Sequence, residues 1–286
     1  MKVILAGAFG KLGTDILKTL VNEGHEVLAV DMITKDVEGI EGKYEKKVVD
    51  VTKPETLTGI CEGKEVLITT VGLTRGGKGV TNYDIDFQGN LNLLKEAEKA
   101  GVKEFAYVSV LKADNPKASN IPMLDAKAKM EKELKESGMQ YVIFRPTGYF
   151  YDIVKVFKPM IEKGSVTLLG KEPVSCNVID TTDLAKFIVL HMQDENKTWN
   201  IGGKETYTYE QIAKMMFEVN GKEPVIKHAP AALFDVLAFV NKVKKTGREG
   251  VIRFSKWTLT ESMVADTEFG DVSFKEYIQK YGKADA

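Results

Sequence analysis

Gly7, Gly10 and Gly13 recur at three-residue spacing in Gly7-Ala8-Phe9-Gly10-Lys11-Leu12-Gly13. Glycines so placed between a strand and a helix let backbone N–H groups close on a pyrophosphate, and the helix N-terminus adds unpaired donors and a favourable dipole. The turn therefore offers Gly7, Phe9, Gly10, Lys11, Leu12 and Gly13 as a dinucleotide cradle. Asp31 follows 18 residues after Gly13. There a second strand ends, and a carboxylate accepts both hydroxyls of an adenosine ribose. The competing reading is a tight αβ turn without a ligand; an acid at this offset argues against it.

These residues need a parallel sheet to position them. Val3-Ile4-Leu5-Ala6 and Val27-Leu28-Ala29-Val30 read as buried strands, joined by a helix with Leu12, Ile16, Leu17 and Leu20 on one face and Gly24 as its stop. Val48-Val49-Asp50-Val51-Thr52 reads as a third strand with its exit. There Asp50 and Val51 meet the adenine edge, or Asp50 or Thr52 merely caps a helix starting near Pro54. Val66 to Gly72 reads as a fourth strand. Ligands in doubly wound sheets lie beyond the carboxyl ends of the strands, so Thr70, Val71 and Gly72 line the groove. Arg75-Gly76-Gly77-Lys78 follows in a glycine-rich loop, with Arg75 reaching a substrate anion or lying in solvent. A long helix from near Asp84 stops at Gly101. Glu104 to Ser109 is a fifth strand that brings Ser109 to the same sheet edge. Leu124 to Ser137 is a helix carrying Lys127, and Tyr141 to Pro146 is a sixth strand.

Strand and helix alternate up to this point, which predicts an α/β fold: a Rossmann doubly wound parallel sheet. Beyond Thr147 helical stretches predominate (149–163, 183–192, 209–219, 231–244), with short strands near Val166, Val178 and Trp199. The expected division is a dinucleotide-binding domain over 1–148 and a smaller mixed substrate lobe over 149–286, with late strands returning to the main sheet. The stretch Ala231 to Val240 is strongly apolar. It covers an apolar substrate, pairs with a second subunit, or packs as core.

Composition narrows the function classes. The 286 residues carry a formal charge of -1, which gives no basic field for nucleic acid or an anionic bilayer. Two cysteines, Cys61 and Cys176, lie far apart, and His25, His191 and His228 form no ligand pattern. No disulfide framework and no metal site are expected. No apolar run is long enough to span a bilayer and the chain opens on a core strand rather than a cleavable signal, so the expected location is the cytoplasm.

Several segments together resemble a known family. Gly7-x-x-Gly10-x-x-Gly13, Asp50-Val51-Thr52, Gly101-Val102-Lys103 leading into Tyr107-Val108-Ser109, Lys127 with Glu131, and Arg145-Pro146-Thr147-Gly148 are similar to the atypical, NmrA-like short-chain dehydrogenase/reductases. Asp183-Leu184-Ala185, Asn200-Ile201-Gly202-Gly203 and Thr208-Tyr209-Glu210 resemble the substrate lobe of the extended members. Arg145 to Phe150, with Glu261-Ser262-Met263, looks most like the branch holding the divinyl chlorophyllide 8-vinyl-reductases and their bacterial relatives. Nothing in the chain argues for a chlorophyll substrate.

The resemblance implies Ser109 and Lys127 as the superfamily's serine and lysine. It adds Val108, Lys127, Pro146 and Thr147 to the cofactor-binding set. The proton-passing tyrosine falls at Met123, and a thioether neither gives nor takes a proton. The proton must come from Lys127, Ser109, Tyr149, Tyr151 or solvent. The implied function is an NAD(P)-dependent oxidoreductase that transfers hydride to an apolar or aromatic small molecule without the usual tyrosine. The alternative is a non-catalytic dinucleotide-binding regulator or assembly factor. Asp31 beside the ribose favours NAD(H) over NADP(H), which remains possible, because a carboxylate repels a 2′-phosphate. The expected assembly is a monomer or homodimer, with no nucleic acid and no membrane span.

Overall fold

Residues 1–73, 79–244 and 246–283 are described by a computed structural model; Arg75 to Lys78 lie outside them. In chain order the elements are β1 (Lys2–Ala6), α1 (Lys11–Asn22), β2 (Glu26–Asp31), β3 (Glu45–Val48), α2 (Pro54–Leu57) and β4 (Val66–Thr69). A π-helix, Tyr83–Gly89, runs into α3 (Asn90–Ala100), followed by β5 (Glu104–Val108), α4 (Pro122–Glu136), β6 (Gln140–Pro146), α5 (Phe150–Glu162), β7 (Val166–Leu169) and β8 (Ser175–Cys176). Then come α6 (Thr181–His191), β9 (Lys197–Gly202), β10 (Tyr207–Thr208), α7 (Tyr209–Val219), β11 (Ile226–Ala229), α8 (Ala232–Val243), α9 (Glu249–Thr260), β12 (Thr267–Glu268) and α10 (Phe274–Tyr281).

Among the described residues the main sheet has eight strands, ordered β3-β2-β1-β4-β5-β6-β9-β12. Its inner strands pair in parallel, with Val3 opposite both Val27 and Val66, and Phe105 opposite Tyr141. Helices cover both faces of such a sheet, which is why Val3-Ile4-Leu5-Ala6 is an unbroken apolar run rather than an alternating one. The strand order reverses beside β1, where the glycine turn leaves the sheet. This is the Rossmann arrangement that the alternation predicts.

The third strand differs from the sequence reading. It covers Glu45–Val48, with Leu28 opposite Glu45 and Asp31 opposite Val48. A strand at the edge of a sheet accepts charged, exposed residues such as Glu45, Lys46 and Lys47. Val49 and Val51 are buried as the chain leaves the sheet, and they mimic a strand in the sequence. The helix expected from near Asp84 begins as the π-helix.

Contacts divide the chain into two units, Met1–Arg145 with Leu184–Trp199 and Pro146–Asp183 with Asn200–Ala286. The first holds the glycine turn and the apolar core around Ile4, Leu67, Phe105 and Ile143. In the second, β7 pairs with β11, β8 with β10, and β9 with β12 through Ile201 and Gly202. Helix α7 starts in a full capping box between Thr208 and Gln211. The strand expected near Val178 is displaced to Ser175–Cys176, and Ile179 forms only a single bridge, to Tyr149.

Candidate functional site

The three glycines of the turn differ in the room around them. Gly7 is left-handed (φ +76), and a Cβ there would come within 2.6 Å of Thr70 Oγ1. A Cβ on Gly13 would lie 2.0 Å from the Gly7 carbonyl oxygen, so helix and strand pack too closely for any side chain. Gly10 is the exception. Its backbone is extended (φ -70) and a Cβ would meet nothing nearer than the Gly7 oxygen at 3.5 Å. The protein's own packing does not require glycine at this position. Gly10 is also the N-cap of α1 and supplies no side-chain cap, which leaves the first-turn N–H groups of Lys11, Leu12 and Gly13 for an outside acceptor. The turn fits a pyrophosphate.

Asp31 ends β2 beside this turn. The Phe9 N–H donates to its Oδ2 at 3.1 Å and the Met32 N–H to its Oδ1 at 2.8 Å. Each carboxylate oxygen accepts more than one hydrogen bond, so both can also serve ribose hydroxyls. Asp50 is drawn into its own turn. It accepts from the Thr52 N–H and hydroxyl at 3.0 and 2.6 Å, with the Lys53 ammonium 3.3 Å away. The Thr52 hydroxyl holds its carboxyl below the usual range despite partial burial. The N-cap of α2 is Lys53, without a side-chain cap. Thr70 fastens β4 to the glycine turn by donating to the Ala6 and Gly7 carbonyls.

Lys127 is buried on α4. Its Nζ lies 3.3 Å from Asp86 Oδ1, 3.2 Å from the Val108 carbonyl oxygen, and 5.3 Å from the centre of the Tyr107 ring. A Cβ on Gly72 would come within 2.8 Å of Asp86 Oδ1 and 3.4 Å of this ammonium. The ends of β4 and β5 thus meet over one buried ion pair. Asp86 Oδ2 accepts from the Leu73 N–H and the Asn82 amide, and Asn90 binds the Val71 and Asp86 carbonyls. Burial, with Asp86 and Glu131 nearby, pushes the Tyr107 hydroxyl well above its ordinary pKa.

Ser109 reaches the same edge, but its hydroxyl points to Glu131 Oε1 at 2.5 Å. Glu131 is in turn held by the Arg145 guanidinium, which also binds Asp114 at 2.8 Å. A serine has one proton to donate, and here Glu131 takes it. Asp86 lies in helical register with buried Asn90, Leu93 and Ala97, but a carboxylate reads as a surface residue until the lysine that pairs with it is known.

Pro146, Thr147 and Tyr149 belong to the second unit. The Thr147 N–H donates to the Ile201 carbonyl at 3.1 Å and its hydroxyl to the Asn177 carbonyl at 2.8 Å. Tyr149 is the N-cap of α5 and stacks on Tyr151 with ring centres 5.5 Å apart. Burial first, then the neighbouring Tyr151 and Asp152, raises its hydroxyl pKa. Among the described residues, no group of His, Cys, Asp and Glu could hold a metal, and no helix is long and apolar enough to cross a membrane.

Comparison with known proteins agrees with the glycine turn. A family profile described as NAD(P)H-binding matches residues 7–195. The photosystem II assembly factor Ycf39 of Synechocystis is 26% identical over 270 residues, covering 92% of this chain and 77% of that one. The chloroplastic divinyl chlorophyllide a 8-vinyl-reductase of Arabidopsis thaliana is 27% identical over 322 residues, covering 99% and 74%. An NADPH-dependent quinone oxidoreductase of Escherichia coli, solved with NADPH, superposes with a TM-score of 0.72 at 18% identity, covering 97% of this chain and 99% of that one. At that identity the likeness establishes the fold.

Proposed function

The chain belongs to the NAD(P)H-binding family, and from that premise we propose an oxidoreductase of short-chain dehydrogenase type that prefers NAD(H) and reduces an apolar, conjugated small molecule in the cytoplasm. The observation that carries this reading is Gly10, a glycine that the fold leaves room to replace and that a pyrophosphate does not. Asp31 supports the cofactor preference. Its carboxylate is fixed by Phe9 and Met32, and the next residues, Met32 and Ile33, are exposed and uncharged. A 2′-phosphate would meet negative charge there and no arginine. Two of the similar proteins carry reductase names, one for quinones and one for divinyl chlorophyllide, which supports an apolar conjugated acceptor.

A bound dihydronicotinamide supplies the hydride. In this reading the chain's own residues hold the dinucleotide. Gly7, Phe9, Gly10, Lys11, Leu12 and Gly13 surround the pyrophosphate, Asp31 takes the ribose, the Asp50 carboxylate and the Val51 N–H meet the adenine edge, and Thr70, Val71, Gly72 and Val108 form the wall contributed by the first unit. An ammonium has three donors. Those of Lys127 that face Asp86 and Val108 fix it, and the third serves a ribose hydroxyl. In the second unit, Pro146, Thr147 and Tyr149 are the residues the family resemblance offers, Tyr149 with a hydroxyl.

A second reading, a dinucleotide-binding regulator or assembly factor, is favoured by two observations. Met123 occupies the tyrosine position, and the Ser109 proton is committed to Glu131. The relationship to Ycf39 supports it as well.

Calorimetric titration with NADH and NADPH tests the first reading. NADH should bind more tightly, and Asp31→Ala should weaken it by about ten- to a hundredfold, the worth of charge-assisted hydrogen bonds of roughly 1.5–3 kcal/mol. NADPH binding as tight as NADH, or an unchanged Asp31→Ala variant, refutes the preference. NADH binding without oxidation by quinones or other conjugated acceptors favours the regulator.

A further inference from the structure

Helix α8 turns a wide apolar face to solvent. Leu233, Val236, Leu237, Val240 and Val243 recur at three- and four-residue spacing with Phe239 beside them, and Phe239 and Val243 are 65% and 64% exposed. The opposite side is the one that packs. Ala238 is buried there, and Asp235 is gripped by Lys256 of α9 through both carboxylate oxygens, at 2.7 and 2.6 Å. The stripe therefore has no acidic residue free to repel a negative surface. The other local acid, Glu249, is bonded to Arg253 at 3.0 Å. Beyond the stripe the charges are cationic. Lys242, Lys244 and Arg248 are exposed, and among the described residues no acid pairs with them.

We propose that α8 docks in the plane of an anionic lipid surface, with Phe239 and its apolar neighbours entering the interface and Lys244 and Arg248 meeting the headgroups. An apolar face with cations beside it is the pattern of helices that lie in a membrane interface rather than cross it. Twelve residues give a helix about 18 Å long, short of the roughly 30 Å hydrocarbon core. The net charge of -1 gives the chain no overall basic field, so the attraction is local: Lys244 and Arg248, exposed just beyond the helix, complement phosphate groups, which attract each basic residue near the surface.

Co-sedimentation of the full chain with phosphatidylcholine vesicles, with and without about a third phosphatidylglycerol, tests the proposal. Binding should require the anionic lipid and fall at high salt. It should weaken about tenfold or more both in Phe239→Asp and in the pair Lys244→Glu/Arg248→Glu, with circular dichroism and NADH affinity unchanged. Three results overturn it: no vesicle binding, equal binding to neutral vesicles that the charge reversals leave intact, or a concentration-dependent dimer that Phe239→Asp dissolves. The last assigns the face to a second copy.

Discussion

Replacing Gly10 by alanine should separate ligand binding from folding at a single atom. The fold pays little for it. The added methyl meets only the Gly7 oxygen at 3.5 Å, an ordinary contact, on extended backbone that alanine adopts freely. Loss of unfolded-chain freedom favours alanine by roughly 0.4–1 kcal/mol. Its poorer performance at an N-cap opposes this by a comparable amount. The net change lies within about 1 kcal/mol, a shift of no more than about 4 °C in Tm for a chain of this size. Dinucleotide binding should respond differently, because the methyl stands where the first-turn N–H groups open to an outside acceptor. We expect at least about tenfold weaker NADH binding, or 1.4 kcal/mol. Gly13→Ala is the internal control. Its methyl would sit 2.0 Å from a backbone oxygen, and relieving that overlap costs about 3 kcal/mol or more. Differential scanning calorimetry and NADH titration on both variants give the answer. A Gly10→Ala protein that is stable and binds NADH as well as the parent refutes the cradle; one that unfolds like Gly13→Ala refutes the packing argument.

Other consequences concern buried charge and buried thiols. Lys127→Met leaves Asp86 charged in the interior and should cost about 3–5 kcal/mol, while Asp86→Asn added to it should restore at least about 1.5 kcal/mol; additive losses in denaturant melts would show that the pair is uncoupled. Glu104 is buried at the start of β5, and burial, followed by the nearby Glu195 and Asp194, raises its pKa to about 7. A carboxyl whose folded pKa exceeds its unfolded one loses stability as pH rises from roughly 4.5 to 7. Glu104→Gln should therefore raise Tm at pH 8 relative to pH 5, by the equivalent of about 1–2 kcal/mol after water screening, and an equal effect at both pH values would contradict it. Cys61 and Cys176 are buried with thiols pushed up to about 12, so a disulfide reagent at pH 8 should label neither until the chain unfolds; rapid labelling of the native protein would show that the thiols are open to solvent.

The sheet was legible because its inner strands are continuous apolar runs between glycine stops, a pattern that survives without knowledge of the partners. Edge strand β3 was not. Its side chains are charged, its place comes from hydrogen bonds to β2, and the valines that follow it are core residues outside the ladder. Helices α9 and α10 left weak signals: α9 is only half-buried along most of its length and buries Trp257 alone, and α10 has eight residues. In the candidate site, the glycine turn and Asp31 could be placed locally because their spacing lies within one strand–helix–strand unit, whereas the Thr70 contact that crowds Gly7 comes from β4. Asp86 could not, since a buried carboxylate needs a partner and that partner is a lysine 41 positions later. The arrest of Ser109 by Glu131 and Arg145 likewise arises from side chains that the fold brings together from β5, α4 and β6.

The buried Asp86–Lys127 pair also changes what survival of the lysine means. A descendant of this chain that gave up all turnover would still need a cation opposite Asp86, because dropping it would strand a carboxylate in the core. Selection for folding alone would preserve Lys127 long after selection for chemistry had ceased. In chains built this way the lysine records ancestry and interior charge balance, and under the proposed reading the residues that would stay only while a dinucleotide binds are those, such as Gly10, that the fold does not itself require.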